Sequence, residues 1–210
     1  MVIMVGPTGS GKTTTLYAML NLINSPSRNI LTIENPVEYE LSGITQISID
    51  PDQDLDFSKT LRAALRQDPD VILIGEIRDE ETAEIAVKAA LTGHLVLTTL
   101  HSRDALTVIQ RLKNLGISAD LLSETLNLIV SQKLVHRHHR REKNCRNCRG
   151  TGYHGRTPIY EILHINQDLR DRIRENVSGP ALLEGIEGVY FRGMKETAGL
   201  HLEQRITDKK

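Results

Sequence analysis

Tryptophan is absent from this 210-residue chain and phenylalanine occurs only twice. The core must therefore be built from Leu, Ile, Val and Ala, and the aromatic platforms that stack single-stranded nucleic acid are scarce. Cysteine also occurs only twice, which excludes a disulfide-rich exterior and fits a reducing cytoplasm. No apolar run approaches the roughly 20 residues that a membrane-spanning helix requires, so a membrane would be reached through partners. A surplus of one charge is missing too: 26 basic residues face 27 acidic ones, for a net charge of −1. That balance gives no whole-surface attraction to nucleic acid or anionic lipid. No signal-peptide pattern precedes the first motif. The chain opens directly on an apolar strand, as expected of a segment cut from a longer protein.

What is present is alternation. A chain of this length buries roughly 70% of its unfolded surface, enough for one main domain and a small appendage. Short aliphatic runs at Val2–Val5, Ile30–Glu34, Thr45–Ile49, Val71–Ile74 and Leu95–Thr99 read as strands. Helical patterns separate them, which predicts an α/β fold with a mostly parallel sheet covered on both faces. Asp79 caps a predicted helix with Ala83, Ala86, Val87 and Ala90 on one face, ended by Gly93. Ala105, Ile109 and Leu112 form a second apolar stripe that stops at Gly116, and Ser118 caps a third predicted helix reaching from Leu121 to Val130. Composition turns polar and basic at His136, where a subdomain boundary is expected. Beyond it, Pro158–Leu163 reads as a strand, Asp168–Arg174 as a helix, and the rest is weakly patterned.

The strongest chemical signal is Gly6-Pro7-Thr8-Gly9-Ser10-Gly11-Lys12-Thr13, a full match to the phosphate-binding loop pattern between a strand and a helix. Glycines there allow positive φ angles, so that backbone N–H groups converge on phosphate oxygens at a helix N-terminus. Gly6, Thr8, Gly9, Ser10, Gly11, Lys12, Thr13 and Thr14 are the expected nucleotide contacts. Lys12 would supply charge to the β and γ phosphates, and Thr13 a hydroxyl to Mg²⁺.

Such a loop needs acids at neighbouring strand ends, because nucleotides lie beyond the carboxyl ends of parallel strands. Glu76 follows Val71–Ile74 and Gly75, placed to hold Mg²⁺ through water or to polarise the attacking water. Glu34-Asn35-Pro36-Val37-Glu38 forms a second acidic cluster, in which Pro36 fixes a corner. Glu38 is the candidate base and Glu34 a support for metal or water, with solvated loop carboxylates as the alternative. His94 and His101 flank one strand, about 23 Å apart at the strand rise, so a single phosphate can meet only one of them. The strand-end rule favours His101, with Thr98 and Thr99, as a γ-phosphate sensor; His94 would face a neighbouring subunit or another element.

Cys145 and Cys148 form a C-x-x-C followed by turn glycines, as in a zinc knuckle. Zinc takes four ligands, so His136, His138, His139 or His154 would have to complete a site. A redox pair fits less well, since no strand leads into the motif. The basic stretch 136–143 could touch nucleic-acid phosphates or stand as a solvated loop.

Together these blocks resemble the secretion ATPases of type II secretion and type IV pilus assembly, from Val2 to about Leu163 and more loosely beyond. GPTGSGKTTTLYA looks like that family's Walker A, TIENPVEYE its acidic box, RQDPDVILIGEIRDEETA its Walker B and TGHLVLTTLHSRDA its histidine box. The resemblance implies a RecA-like ATPase core at 1–135, a small C-terminal subdomain at 136–210, and the family's N-terminal domain absent. It implies ATP and Mg²⁺ as ligands, Lys12 and Thr13 as their contacts, Glu76 as the Walker B glutamate, Glu38 as base, and His94 and His101 as histidine-box residues. It also implies a homohexamer that is cytoplasmic, peripheral at the inner membrane, and coupled there to platform proteins that assemble pilin-like subunits. The C-x-x-C with GYHGRTPIYEIL is similar to the assembly and secretion branch, not to retraction motors. Asn35 departs from the usual Asp of the acidic box, and the first of the family's two C-x-x-C pairs is absent after Leu134. Arginines of an N-terminal domain contribute on the order of 10³ to 10⁵ in rate where they stabilise transferring phosphate. This segment alone is therefore expected to bind ATP and turn it over poorly. The rival readings are a nucleic-acid-translocating motor, a competence-pilus ATPase, and a nucleotide-binding scaffold without turnover.

Overall fold

The computed structural model describes residues 1–50, 56–139, 145–184 and 191–208. Positions 140–143 of the basic stretch lie outside them. The strands are β1 (Val2–Val5), β2 (Ile30–Glu34), β3 (Thr45–Ser48), β4 (Val71–Ile74), β5 (Leu95–Leu100), β6 (Leu128–His138), β7 (Tyr153–His164) and β8 (Phe191–Arg192). The helices are α1 (Lys12–Ile23), α2 (Phe57–Leu65), α3 (Glu80–Leu91), α4 (Ala105–Asn114), α5 (Ala119–Thr125), α6 (Gln167–Arg174) and α7 (Met194–Glu203). Among the described residues these eight strands join one sheet in the order β3-β2-β4-β5-β1-β6-β7-β8, parallel from β3 to β6 and antiparallel from β6 to β8.

Strands buried on both faces explain the unbroken aliphatic runs. In β1, Ile3 and Val5 face the larger core with α2 to α5, whereas Met4 faces Leu16, Tyr17 and Leu20 of α1. In β4, Ile72 and Ile74 take the first face and Val71 and Leu73 the second. Fully burying one such side chain stabilises the fold by roughly 1.5–3 kcal/mol. The helix after Asp79 forms as predicted: the Asp79 carboxylate accepts from Thr82 N at 2.8 Å, Glu80 and Glu81 occupy the first turn and Lys88 the last.

One predicted helix is wrong. The apolar run Leu121–Val130 is helical only to Thr125; Leu126 turns extended, and Leu128 starts β6. The run fits a helical period, but pairing with β1 wins, with Val2 opposite Leu128 and Val5 opposite Ser131. The compositional change at His136 falls inside β6, which runs on to His138 and pairs with β7 along its length. α2 and α7 were not singled out by pattern. α2 is a strongly amphipathic helix whose cap, Asp56, accepts from Lys59 N at 2.7 Å.

Candidate functional site

The register puts the ends of β1, β2, β4 and β5 at one edge: Val5 pairs with Leu100, Ile74 with Thr98, and Ile33 with Ile74. The chain leaves these ends as the glycine loop, the acidic corner, Gly75-Glu76 and His101. They enclose a cleft of about 300 Å³ whose lining includes Thr8, Gly9, Lys12, Thr13, Glu34, Glu38, Glu76 and His101.

α1 begins differently from its neighbours. α2 to α6 are each capped by a side chain, but α1 starts at Gly11 with left-handed φ of 82°, no side-chain cap and no acidic residue in its first turn. Its N–H groups and the positive end of its dipole are thus directed at the cleft, an arrangement that attracts anions. Gly6 must be glycine: with φ of 141°, a Cβ there would lie 2.3 Å from the Gln132 carbonyl oxygen. Lys12 Nζ donates to the Gly6 and Pro7 carbonyls at 2.9 and 3.2 Å. Burial holds its ammonium below the usual lysine value, and the charge of Glu76 offsets part of that. Ser10 is buried, whereas Thr14 is exposed on α1 and lines an adjoining cleft with Gly9, Lys12, Glu38 and Arg156.

The acids take distinct settings. Glu76 ion-pairs with Arg78 and lies 3.5 Å from His101 Nε2, with its side chain 16% exposed. The bond to Glu76 raises the Arg78 pKa further, so this guanidinium stays charged. Glu34 does not project from the corner as expected. It is buried, accepting from Tyr17 Oη at 2.5 Å and Thr32 Oγ1 at 2.6 Å. Burial, and then the bond to Glu34, push the Tyr17 phenol well above its ordinary value. Glu38 stays exposed at the rim, its backbone N–H directed at Tyr17 Oη at 3.4 Å.

The two histidines separate as the strand length demanded. His101 reaches the cleft; His94 lies at the other end of β5, where its Nδ1 is 2.9 Å from the Ala89 carbonyl and 3.1 Å from Thr92 Oγ1. Thr99 lines the cleft and donates to the Gly75 carbonyl at 2.6 Å, which ties the Glu76 turn to β5. Thr98 points to the opposite face, fully buried.

Cys145 and Cys148 are free thiols near the tip of the β6–β7 hairpin, with His139 Nε2 3.9 Å from Cys145 Sγ. The backbone N–H of Gly152, and to a lesser degree that of Gly150, lowers the Cys148 pKa. Among the described residues no three His, Cys, Asp or Glu side chains are grouped to hold a metal ion. Nor is any helix among them long and apolar enough to cross a membrane.

Sequence reasoning missed four residues that shape this site. Arg78 was visible in the motif, two positions after Glu76. Tyr17 sits one helical turn beyond Thr13 and could have been found from α1 periodicity. Gln132 and Arg156, whose Nη1 approaches the Gly9 carbonyl at 3.4 Å, come from the far end of the chain and left no local signal.

The model of the family described as Type II/IV secretion system protein matches residues 1–208. Type II secretion system protein HxcR of Pseudomonas aeruginosa is 46% identical over 206 residues, covering 93% of this chain and 44% of that protein. Type II secretion system protein E of Klebsiella pneumoniae is 45% identical over 216 residues, covering 91% of this chain and 44% of that protein. The chain therefore spans less than half the length of these relatives. Among solved structures, the pilus retraction motor PilT with bound ADP has a TM-score of 0.80 at 36% identity, over 99% of this chain and 59% of that one. The Legionella pneumophila ATPase DotB has a TM-score of 0.76 at 28% identity, over 99% and 57%. The architecture is thus that of the RecA-like P-loop ATPases.

Proposed function

The chain belongs to the type II/IV secretion system protein family, and we propose that it is the ATP-binding and hydrolysing part of a motor that powers assembly of a pilus or of a type II secretion pseudopilus. The observation that carries this reading is the single cleft shared by the glycine loop, Lys12, Thr13, Glu38, Glu76 and His101. In it Lys12 turns from its loop carbonyls to the β and γ phosphates, and the first-turn amides of α1 receive phosphate oxygens. A further opening of about 420 Å³ beside Thr14, Leu134, Arg156 and Pro158 gives room for ribose and base.

Thr13 and Glu76 are hard oxygen donors at one cleft, the donor type that Mg²⁺ takes. The ion, when bound, neutralises phosphate charge. Glu38 accepts the proton of the attacking water as it adds to the γ-phosphorus, and the bond to the β–γ bridging oxygen breaks to leave ADP and phosphate. Glu34, fixed by Tyr17 and Thr32, braces the corner that carries Glu38. His101 reads the γ-phosphate from beside Glu76. His94, at the far edge, faces a neighbouring subunit.

The same reading includes a hexameric ring, a cytoplasmic location at the inner membrane and a membrane-bound assembly platform as partner, supported by relatives named for type II secretion. Those relatives do not favour a nucleic-acid motor. Cys145 and Cys148, even with His139 beside Cys145, fall short of the four ligands that zinc takes, so the described residues do not fit a zinc site.

The test is a pair of variants. Lys12→Ala should weaken ATP binding at least 100-fold by calorimetric titration, on the order expected for losing a charged phosphate contact. Glu76→Gln should keep ATP binding and lose about 10²- to 10³-fold in phosphate release. Wild-type protein that binds no ATP would overturn the assignment.

A further inference from the structure

Gln132 lies on β6, more than a hundred residues from the glycine loop, yet it meets that loop at Gly6, Ser10 and Gly11. Its side chain is 1% exposed. Nε2 donates to the Ser10 carbonyl at 2.6 Å, and Oε1 accepts from Thr15 Oγ1 at 2.8 Å. Its backbone carbonyl closes on Gly6, and a Cβ on Gly11 would lie 3.0 Å from Nε2. Both ends of the primary amide are engaged, one below the loop and one on the first turn of α1.

The Ser10 carbonyl shares a peptide plane with the Gly11 N–H, and in a trans peptide the two point in opposite directions. The described cis bond is Asn35–Pro36, not this one. Holding Ser10 O inward therefore directs the Gly11 N–H outward, to the cleft side where phosphate would sit. Glycine-rich segments do not hold such a shape unaided, because Gly9 and Gly11 both have accessible alternatives. The internal contacts are few: Ser10 N donates to Pro7 O at 3.2 Å, and the Lys12 bonds to Gly6 and Pro7 would be given up when Lys12 turns to phosphate.

We infer that Gln132 is a positioning residue that locks the Ser10–Gly11 peptide, and so the phosphate loop, in its binding-competent orientation. The inference rests on the reading of the cleft as an ATP site and names the brace that preorganises it. A glutamine is required for chemical reasons. Glutamate would set a carboxylate oxygen against the Ser10 carbonyl and place negative charge beneath the phosphates, and asparagine is one methylene short of spanning Ser10 and Thr15.

The experiment measures ADP affinity and ATP turnover for wild type, Gln132→Ala, Gln132→Glu and Thr15→Val, with melting of the nucleotide-free proteins alongside. Losing two buried hydrogen bonds predicts an ADP Kd raised about tenfold or more in Gln132→Ala, and further in Gln132→Glu. KM for ATP should rise in parallel while kcat changes less than about threefold, since Glu38 and Glu76 are untouched. Thr15→Val, which removes only the bond that orients the amide, should raise Kd about threefold to fivefold, and it decides the matter should the Gln132 variants not fold. Lowered melting temperatures with unchanged ADP affinity would overturn the inference and leave Gln132 a packing residue. Wild-type protein that binds no ADP would overturn the ATP reading as well.

Discussion

The two ends of β5 carry the same residue type in opposite circumstances. At the amino end, His94 folds onto α3, its ring nitrogen satisfied by the Ala89 carbonyl and Thr92. Nearby, the Asp70 carboxylate accepts from Asn29 N at 2.7 Å and the Asp70 carbonyl from Leu95 N at 3.0 Å, so polar groups of this edge close on one another. At the carboxyl end, His101 is 69% exposed and faces a buried-edge glutamate, a lysine and an uncapped helix. In a parallel α/β sheet, helices start just beyond the carboxyl ends of the strands, so their amides and dipoles concentrate there. The lesson is that the edge, not the residue, assigns the chemistry.

The sharpest way to break this comparison is to truncate the two histidines in turn. His101→Ala should lower ATP turnover about 10- to 100-fold, the cost of losing a hydrogen bond to a charged group, and His94→Ala should leave steady-state turnover within about twofold. Equal losses would erase the distinction between the edges. Tyr17→Phe sharpens it from inside the fold: with Glu34 left short of a donor, denaturant unfolding should show about 1–3 kcal/mol lost. Because the folded phenol resists ionisation, that contribution is intact below about pH 10 and fades as pH rises past it. Wild type and variant should therefore converge in alkali, and a gap independent of pH would contradict the role assigned to Tyr17. The smallest effect belongs to Asp79→Ala, a cap removal worth about 1 kcal/mol of stability. ADP affinity measured on that variant should not change, since Asp79 does not line the cleft.

Much of this site was legible beforehand. Val2–Val5, Ile30–Glu34 and Val71–Ile74 stand where the aliphatic runs placed them, because strands buried on both faces leave an unmistakable composition. The glycine loop and Glu76 followed from local spacing and the strand-end rule. Glu34 was legible as a strand-end acid but not as a buried one: its donors, Tyr17 and Thr32, depend on how α1 lies across β2. The run at Leu121–Val130 misled because its apolar spacing suits a helix as well as a buried strand, and only a free position beside β1 decided between them.

Local spacing by itself determined the strands β1 to β5, the glycine loop, the acids at neighbouring strand ends, and the rule that one strand's two histidines cannot meet at one point. Each of these is a statement about neighbours in the chain, where covalent geometry limits the choices. Tertiary structure alone decided that Gln132 braces the loop, that Arg156 approaches Gly9, and that Glu34 turns inward. The first two contacts join segments far apart in sequence and rest on the pairing of β6 with β1 and β7, which no local periodicity encodes, and the third rests on how α1 lies across β2.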